Sequence, residues 1–284
     1  MKPAPFVYHR PTSVDEALAL LGRYGPDGRL LAGGQSLVPA LNMRLATPAA
    51  LIDINRLPGL GGISLGPEGL VIGALARHDA VEHSALVARH APLIAEAMPH
   101  VGHRAIRTRG TVGGSIALAD PAAELPACLV ALDALIRVLG RDGPREIPAA
   151  RFFRGIYTTD LGPGEIVTAV VVPPIQSGWR SRFDELARRH GDFALVGLAA
   201  HCRVESGAIA EARLAFCGAG TTPVRAARAE SALAGRRPGA DALSEAGRAL
   251  DADLDPPADV HASAALRRHL ARVLLGRAVA RMLG

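Results

Sequence analysis

The chain has 284 residues, a net charge of +5 and 49% hydrophobic residues, enough for one large or two ordinary domains whose core needs no covalent staples. Its three cysteines, Cys128, Cys202 and Cys217, are scattered without CxxC spacing, which excludes a disulfide framework, a zinc site or an iron–sulfur cluster held by this chain alone. The positive charge is nearly all arginine, dispersed along the chain, and aromatics make up only 4%, so a nucleic-acid binder's stacking residues are scarce and a compositional bias explains the basic balance.

The start, MKPAPFVYHRP, lacks the apolar stretch of a secretory signal, and no long uncharged apolar run follows. The reading is a cytoplasmic protein without a membrane span. TSVDEALALLGRYG predicts a helix: Ser13 with Glu16 three residues on forms a capping box, Val14, Leu18 and Leu21 repeat at helical spacing, and Gly22 or Gly25 stops it. GRLLA and ALIDI read as short strands, and GISLGPEGLVIGA as a hairpin turning at Gly66-Pro67-Glu68-Gly69. PLIAEAM and AAELPACLVAL read as helices, ALIRVLG and GEIVTAVVVP as strands. Pro173-Pro174 followed by Gln176-Ser177-Gly178 breaks the pattern and marks a domain boundary. Beyond it SRFDELA, DFALVGLAAHCRV and AIAEARLAFCGAG predict an antiparallel sheet. Helices follow over 225–233, 241–250 and 263–283. In the last, Leu266, Leu270, Val273, Leu274 and Met282 form the apolar side, with Arg267, Arg268, Arg272, Arg277 and Arg281 mostly elsewhere on a solvated face.

Two stretches repeat one kind of turn: LLAGGQSLV, Leu30 to Val38, and RGTVGGSIA, Arg109 to Ala117. Each runs a Gly-Gly pair and a hydroxyl into an apolar run. Glycine permits a positive φ and close approach of a ligand, and successive N–H groups in such a turn form a concavity suited to phosphate oxygens. Ser36, Thr111 and Ser115 add hydroxyls. Tight structural turns and a pair of phosphate loops for a dinucleotide both explain the pattern. Other phosphate motifs are missing: no GxxxxGK[ST] occurs, and GAGTTP, Gly218 to Pro223, has proline where a third glycine belongs. No GxSxG nucleophile turn occurs, and His100 and His103 have HxxH spacing without a third ligand nearby, so no catalytic or metal residue is assigned.

Together AGGQSLVPALNMR, LIDINRLPGL, IRTRGTVGGSIALADPAAELPA and RRHGDFALVGLAA resemble the flavin-binding (medium) subunit of molybdenum hydroxylases, the relatives of carbon monoxide dehydrogenase, xanthine dehydrogenase and aldehyde or aromatic hydroxylases. The resemblance runs from about Phe6 into the C-terminal helices. It implies an α+β fold: a vanillyl-alcohol-oxidase-type FAD-binding domain over 1–175, in subdomains of about 1–56 and 57–175. A smaller C-terminal domain over 178–284, a three-stranded antiparallel sheet plus helices, follows. It implies FAD, with Leu31, Ala32, Gly33, Gly34, Gln35, Ser36, Leu37 and Val38 and, from the other subdomain, Thr111, Val112, Gly113, Gly114 and Ser115 around its pyrophosphate. Glu124 matches an acidic position that accepts bonds from the adenosine ribose, and Asp120 either caps the following helix or reaches the cofactor. Val167 matches an apolar position beside the adenine, and Phe193 an aromatic against the flavin ring. Two residues depart from the pattern: Glu185 stands where many relatives have lysine, and Leu118 where they often have a polar residue.

The work so implied is electron relay. A large molybdenum-cofactor subunit oxidises the substrate, a small iron–sulfur subunit carries electrons to the FAD, and NAD or another acceptor takes them away. Two other readings fit the residues: a free-standing FAD oxidoreductase of the same fold, and a nucleotide-binding scaffold subunit without redox turnover.

Overall fold

The protein is described by a computed structural model covering residues 2–283. It opens with strand β1 (Val7–His9), helix α1 (Val14–Tyr24), β2 (Gly28–Leu31), α2 (Leu37–Asn42) and β3 (Ala50–Asp53). The three strands pair in parallel in the order β1-β3-β2. The start of α1 follows the sequence with a shift of one residue: Ser13 Oγ accepts from Glu16 N at 3.1 Å, but the Glu16 carboxylate returns to Thr12 N at 2.7 Å. Ala17 and Leu18 of α1 pack with Ile52 and Ile54 in a small core of their own.

A five-stranded antiparallel sheet follows, built from β4 (Ile63–Gly66), β5 (Gly69–Gly73), β6 (Leu135–Gly140), β7 (Gly143–Pro148) and β10 (Ile166–Val172) in the order β4-β5-β10-β6-β7. β10 lies centrally, and its near-continuous run of Val and Ile is buried along most of its length. Strand β7 has no counterpart in the sequence reading, because GPREIP shows no apolar alternation; it pairs as an edge, where proline and charge are tolerated. Between β5 and β6 run the short helices α3 (His78–Glu82), α4 (Ala85–His90), α5 (Pro92–Ala97), α6 (Arg104–Arg107), α7 (Val112–Leu118) and α8 (Glu124–Ala131). α8 is buried along its whole length. Helix α9 (Ala149–Phe152) leads into a small hairpin, β8 (Phe153–Gly155) and β9 (Thr158–Thr159).

After the prolines at 173 and 174, β11 (Trp179–Ala187), β12 (Ala194–Glu205) and β13 (Ala208–Cys217) form a long antiparallel meander, with a two-residue edge strand β14 (Val224–Arg225). That edge takes up the residues expected to begin a helix, so α10 starts at Ala227 (Ala227–Leu233). Helices α11 (Ala240–Asp253) and α12 (Ala264–Leu283) close the chain. The sheet is covered on both faces. Ala199, Ala215, Cys217 and Phe183 join the core of the N-terminal part, while Leu198, Ala200, Leu214 and Phe216 pack under α10, α11 and α12. The first of these seams is also polar: Glu96 on α5 accepts from Phe183 N at 2.9 Å and pairs with Arg182, and Gly218 N donates to Pro121 O at 2.8 Å. Helix α12 corrects the predicted stripe. Its buried side is Arg267, Ala271, Leu274, Leu275, Ala278, Val279 and Met282, and Leu266 is exposed.

Candidate functional site

Strand β2 ends at Leu31, and the chain turns through Ala32–Ser36 into α2. Gly34 takes φ +73, a conformation that side chains resist. Gly33 is small for a different reason: a Cβ there would lie 2.4 Å from the Arg109 carbonyl oxygen and 2.9 Å from Gly110 Cα. The two glycine segments are therefore in backbone contact. The carbonyls of the first loop are bonded on its inner side. Asn55 Nδ2 donates to Leu31 O at 3.2 Å and to Ala32 O at 2.8 Å, and Gln35 Nε2 donates to Gly33 O at 3.1 Å. Among the described residues, no acceptor takes the N–H groups of Gly33, Gly34, Gln35, Ser36 and Leu37. Five successive donors thus stand unbonded in a half-buried turn, the kind of backbone that binds an anion.

The second segment is organised differently. Thr111 caps α7, its Oγ1 accepting from Gly114 N at 3.1 Å, while Val112 N and Gly113 N donate to Ala76 O and Ala74 O at 3.0 and 2.8 Å. Its N–H groups are committed to the helix and to the chain just beyond β5, so the backbone donors read into both loops stand free only in the first. The second loop contributes the exposed surface of Gly114 and the Ser115 hydroxyl. Gly113 faces inward, where a Cβ would meet that of Ala74 at 2.5 Å. Val167 is buried on β10, next to Thr168, whose carbonyl accepts from Ala74 N at 2.9 Å; through Ala74 it neighbours α7.

Asp120 and Phe193 are brought together elsewhere. They line a cavity of about 290 Å³ between the α7–α8 connection, the tip of the β8–β9 hairpin and the start of β12. Asp120 Oδ1 accepts from Ala122 N at 2.9 Å, which closes a turn ahead of α8, and Oδ2 faces the Tyr157 hydroxyl at 3.4 Å. Phe193 is 71% exposed and stands over the cavity with Ile156 and Tyr157, also exposed. At its back Arg267, buried on α12, donates to Leu195 O and pairs with Asp259 at 2.7 Å. An exposed phenylalanine held two residues from such an anchor is available to cover a planar ring.

Glu124 is not on that cavity wall. Its carboxyl is buried at the first turn of α8, and burial, then the neighbouring Glu185 carboxylate, push its pKa up to about 8. Glu185 reaches from β11 into the same seam with Oε1 3.5 Å from His100 Nδ1, and its Oε2 has no partner among the described residues. The hydrogen bond to Glu185 raises the pKa of His100. His100 thus pairs with a carboxylate across the seam. Among the described residues, the one cluster with metal-ligand spacing, Asp79, Glu82 and His83, lies elsewhere, with Glu82 already bonded to Arg107 at 2.6 Å. The residues at the glycine loops fit a dinucleotide's pyrophosphate: five free N–H donors, an unbonded hydroxyl at Ser115, and the guanidinium groups of Arg77 and Arg109 beside them.

The family model for the FAD binding domain in molybdopterin dehydrogenase matches residues 4–175, and the model for the CO dehydrogenase flavoprotein C-terminal domain matches residues 181–282. The chain belongs to this family of flavoproteins. It is 40% identical over its whole length to the alpha subunit of the 6-hydroxypseudooxynicotine dehydrogenase complex of Paenarthrobacter nicotinovorans, covering 96% of that chain. It is 36% identical over 98% of its length to the carbon monoxide dehydrogenase medium chain of Hydrogenophaga pseudoflava, covering 97% of that chain. The solved carbon monoxide dehydrogenase from the same organism superposes with a TM-score of 0.96 at 38% identity over 99% of this chain and 98% of the other. The protein is thus a FAD-binding medium subunit of the molybdenum hydroxylase type, an oxidoreductase subunit of a multisubunit complex, and its cofactor is FAD. No helix among the described residues is long and apolar enough to cross a membrane.

Sequence reading missed Asn55, Arg77, Tyr157 and Arg267. Asn55 lies inside LIDINRLPGL, where an Asn two residues after an Asp at a strand end is a turn signal. The others carry no local signal.

Proposed function

We propose that this chain holds FAD with its pyrophosphate across Leu31–Val38 and Thr111–Ser115 and relays electrons from a small iron–sulfur subunit, fed by a large molybdenum-cofactor subunit, to NAD or another acceptor. The observation that carries the reading is the unbonded row of N–H groups from Gly33 to Leu37, set in backbone contact with the loop that caps α7. Bound FAD supplies the chemistry that joins one-electron to two-electron carriers. The chain's own share is placement. The first loop donates to phosphate oxygens, and the Ser115 hydroxyl adds a further donor. Glu124 is the acidic contact proposed toward the ribose, Asp120, which closes the turn ahead of α8 and lines the open cavity under Phe193, a second contact with the cofactor, and Val167 backs the adenine. Phe193 covers the ring, with Tyr157 and Ile156 shaping the same cavity. No nucleophile or general acid–base residue is assigned. The domain division proposed is 1–175 for FAD and 178–284 for the part that brings Phe193 to the seam.

The reading is tested by anaerobic reduction of the flavin band with candidate organic substrates, with and without the two partner subunits co-expressed. Reduction only in the complex is expected. Reduction of the lone chain by an organic substrate at the rate of the complex refutes the relay and makes this a free-standing oxidoreductase.

A further inference from the structure

Asn55 and Arg77 lie on different elements, yet both act on the two glycine segments. Asn55 follows β3 and is locked by Asp53, whose Oδ1 accepts from Asn55 N at 2.9 Å and from Nδ2 at 2.6 Å. The same Nδ2 donates to the Leu31 and Ala32 carbonyls of the first loop. Arg77 caps the start of α3, and its backbone forms an antiparallel bridge with Thr111. Its Nη2 donates to Asn55 Oδ1 at 2.6 Å, and its Nη1 donates to the Arg109 carbonyl, the oxygen that Gly33 must be a glycine to approach.

One chain of bonds therefore runs from Asp53 through Asn55 and Arg77 to Arg109. Every link onto a loop ends on a carbonyl oxygen. With the Ala32 carbonyl held by Asn55, the N–H of the same peptide, that of Gly33, points the opposite way and stands unbonded at the head of the row that runs to Leu37. The guanidinium suits this task because its planar fork reaches two acceptors at a fixed angle, which a lysine ammonium on a flexible stem does not. Its charge also stands beside that of Arg109, where phosphate is the natural counterion.

We infer that Asn55 and Arg77 are positioning residues that clasp the two glycine loops in the phosphate-binding arrangement. The inference rests on the loop assignment proposed above, and its test separates the two. Apoprotein of the full chain is titrated with FAD, with ADP, which carries the pyrophosphate without the flavin, and with riboflavin, which carries no phosphate. Arg77→Met and Asn55→Leu are each expected to weaken FAD and ADP at least tenfold and to leave riboflavin unchanged. The double variant is expected to be no worse than the weaker single variant, because either change opens the clasp. Arg77→Lys, which keeps the charge and most of the stem, is expected to fall between Arg77→Met and the parent, and with Asn55→Leu it carries the test where Arg77→Met does not fold. Parent-like FAD binding in Arg77→Met, losses that multiply in the double variant, or a riboflavin loss equal to the FAD loss overturns the clasp. Gly34→Val tests the loops themselves. Full FAD retention there removes the loop assignment and the clasp with it, whereas loss of FAD there beside a parent-like Arg77→Met removes the clasp alone.

Discussion

Replacing Gly33 by alanine adds one methyl group where two backbones touch. The new Cβ would sit 2.4 Å from the Arg109 carbonyl oxygen, 3.0 Å from its carbon and 2.9 Å from Gly110 Cα. That first distance is about 1 Å inside ordinary contact, and none of the three atoms is the end of a flexible side chain that can swing away. The loops must part. Overpacking of this kind costs about 1–3 kcal/mol, and parting them misaligns the N–H row proposed to bind the phosphates, so FAD affinity is expected to fall about 10- to 100-fold. Gly34→Ala is a contrasting case. Its φ of +73 makes alanine unfavourable by about 1–2 kcal/mol, but the nearest atoms are Val38 Cγ2 at 3.1 Å and Leu31 Cδ1 at 3.2 Å, ends of side chains that can yield. Gly59→Ala, at φ +80 with nothing within 4 Å, carries backbone strain alone and serves as the control. The assay is quenching of flavin fluorescence on titrating apoprotein with FAD, beside thermal melts of the apoproteins. The expected order of FAD loss is Gly33→Ala, then Gly34→Ala, with Gly59→Ala at parent level. A Gly33→Ala protein that binds FAD within about twofold of the parent, or one that binds better than Gly34→Ala, refutes loop contact as the determinant.

Gly113→Val is expected to lose stability as well as FAD, because its side chain points into Ala74 rather than toward a ligand; a melting temperature equal to the parent's contradicts that packing. Glu124 gives a pH signature. Its carboxyl titrates near 8 in the folded chain, above the ordinary value of 4.5, so the unfolded chain ionises first and binds fewer protons between those two values. Stability of the apoprotein is then fully supported below the ordinary range, falls as pH rises toward about 8, and levels off above it. Glu124→Gln, neutral throughout, is expected to flatten that decline in urea midpoints measured across the window, and an unchanged slope disproves the assignment.

What the sequence makes legible here is local chemistry, and what it hides is where the partners lie. Ser13 capping and the turn at Gly66–Gly69 depend on residues a few positions apart, and both form in the fold. The glycine loops are visible for the same reason: Gly34 needs its positive φ from the turn alone. Yet the fate of their N–H groups is a tertiary matter. Gly113 N is consumed by Ala74 O, 39 positions earlier in the chain, while Gly33 N is left free; no pattern within either segment separates the two. The clasp is hidden likewise, since Arg77 meets partners 22 and 32 positions away. On α12 the failure is of another kind. Large apolar residues at helical spacing pointed to Leu266, but the side that packs uses Ala271 and Ala278, small enough to bring the helix close to the sheet, and Arg267, whose charge is met by the Asp259 carboxylate and whose Nη1 donates to the Leu195 carbonyl near the start of β12. A buried arginine reads as surface until its acceptors are known. The same holds for Glu124 and Glu185, acidic residues from separate elements that become costly neighbours only when the sheet of β11, β12 and β13 closes over α5 and α8.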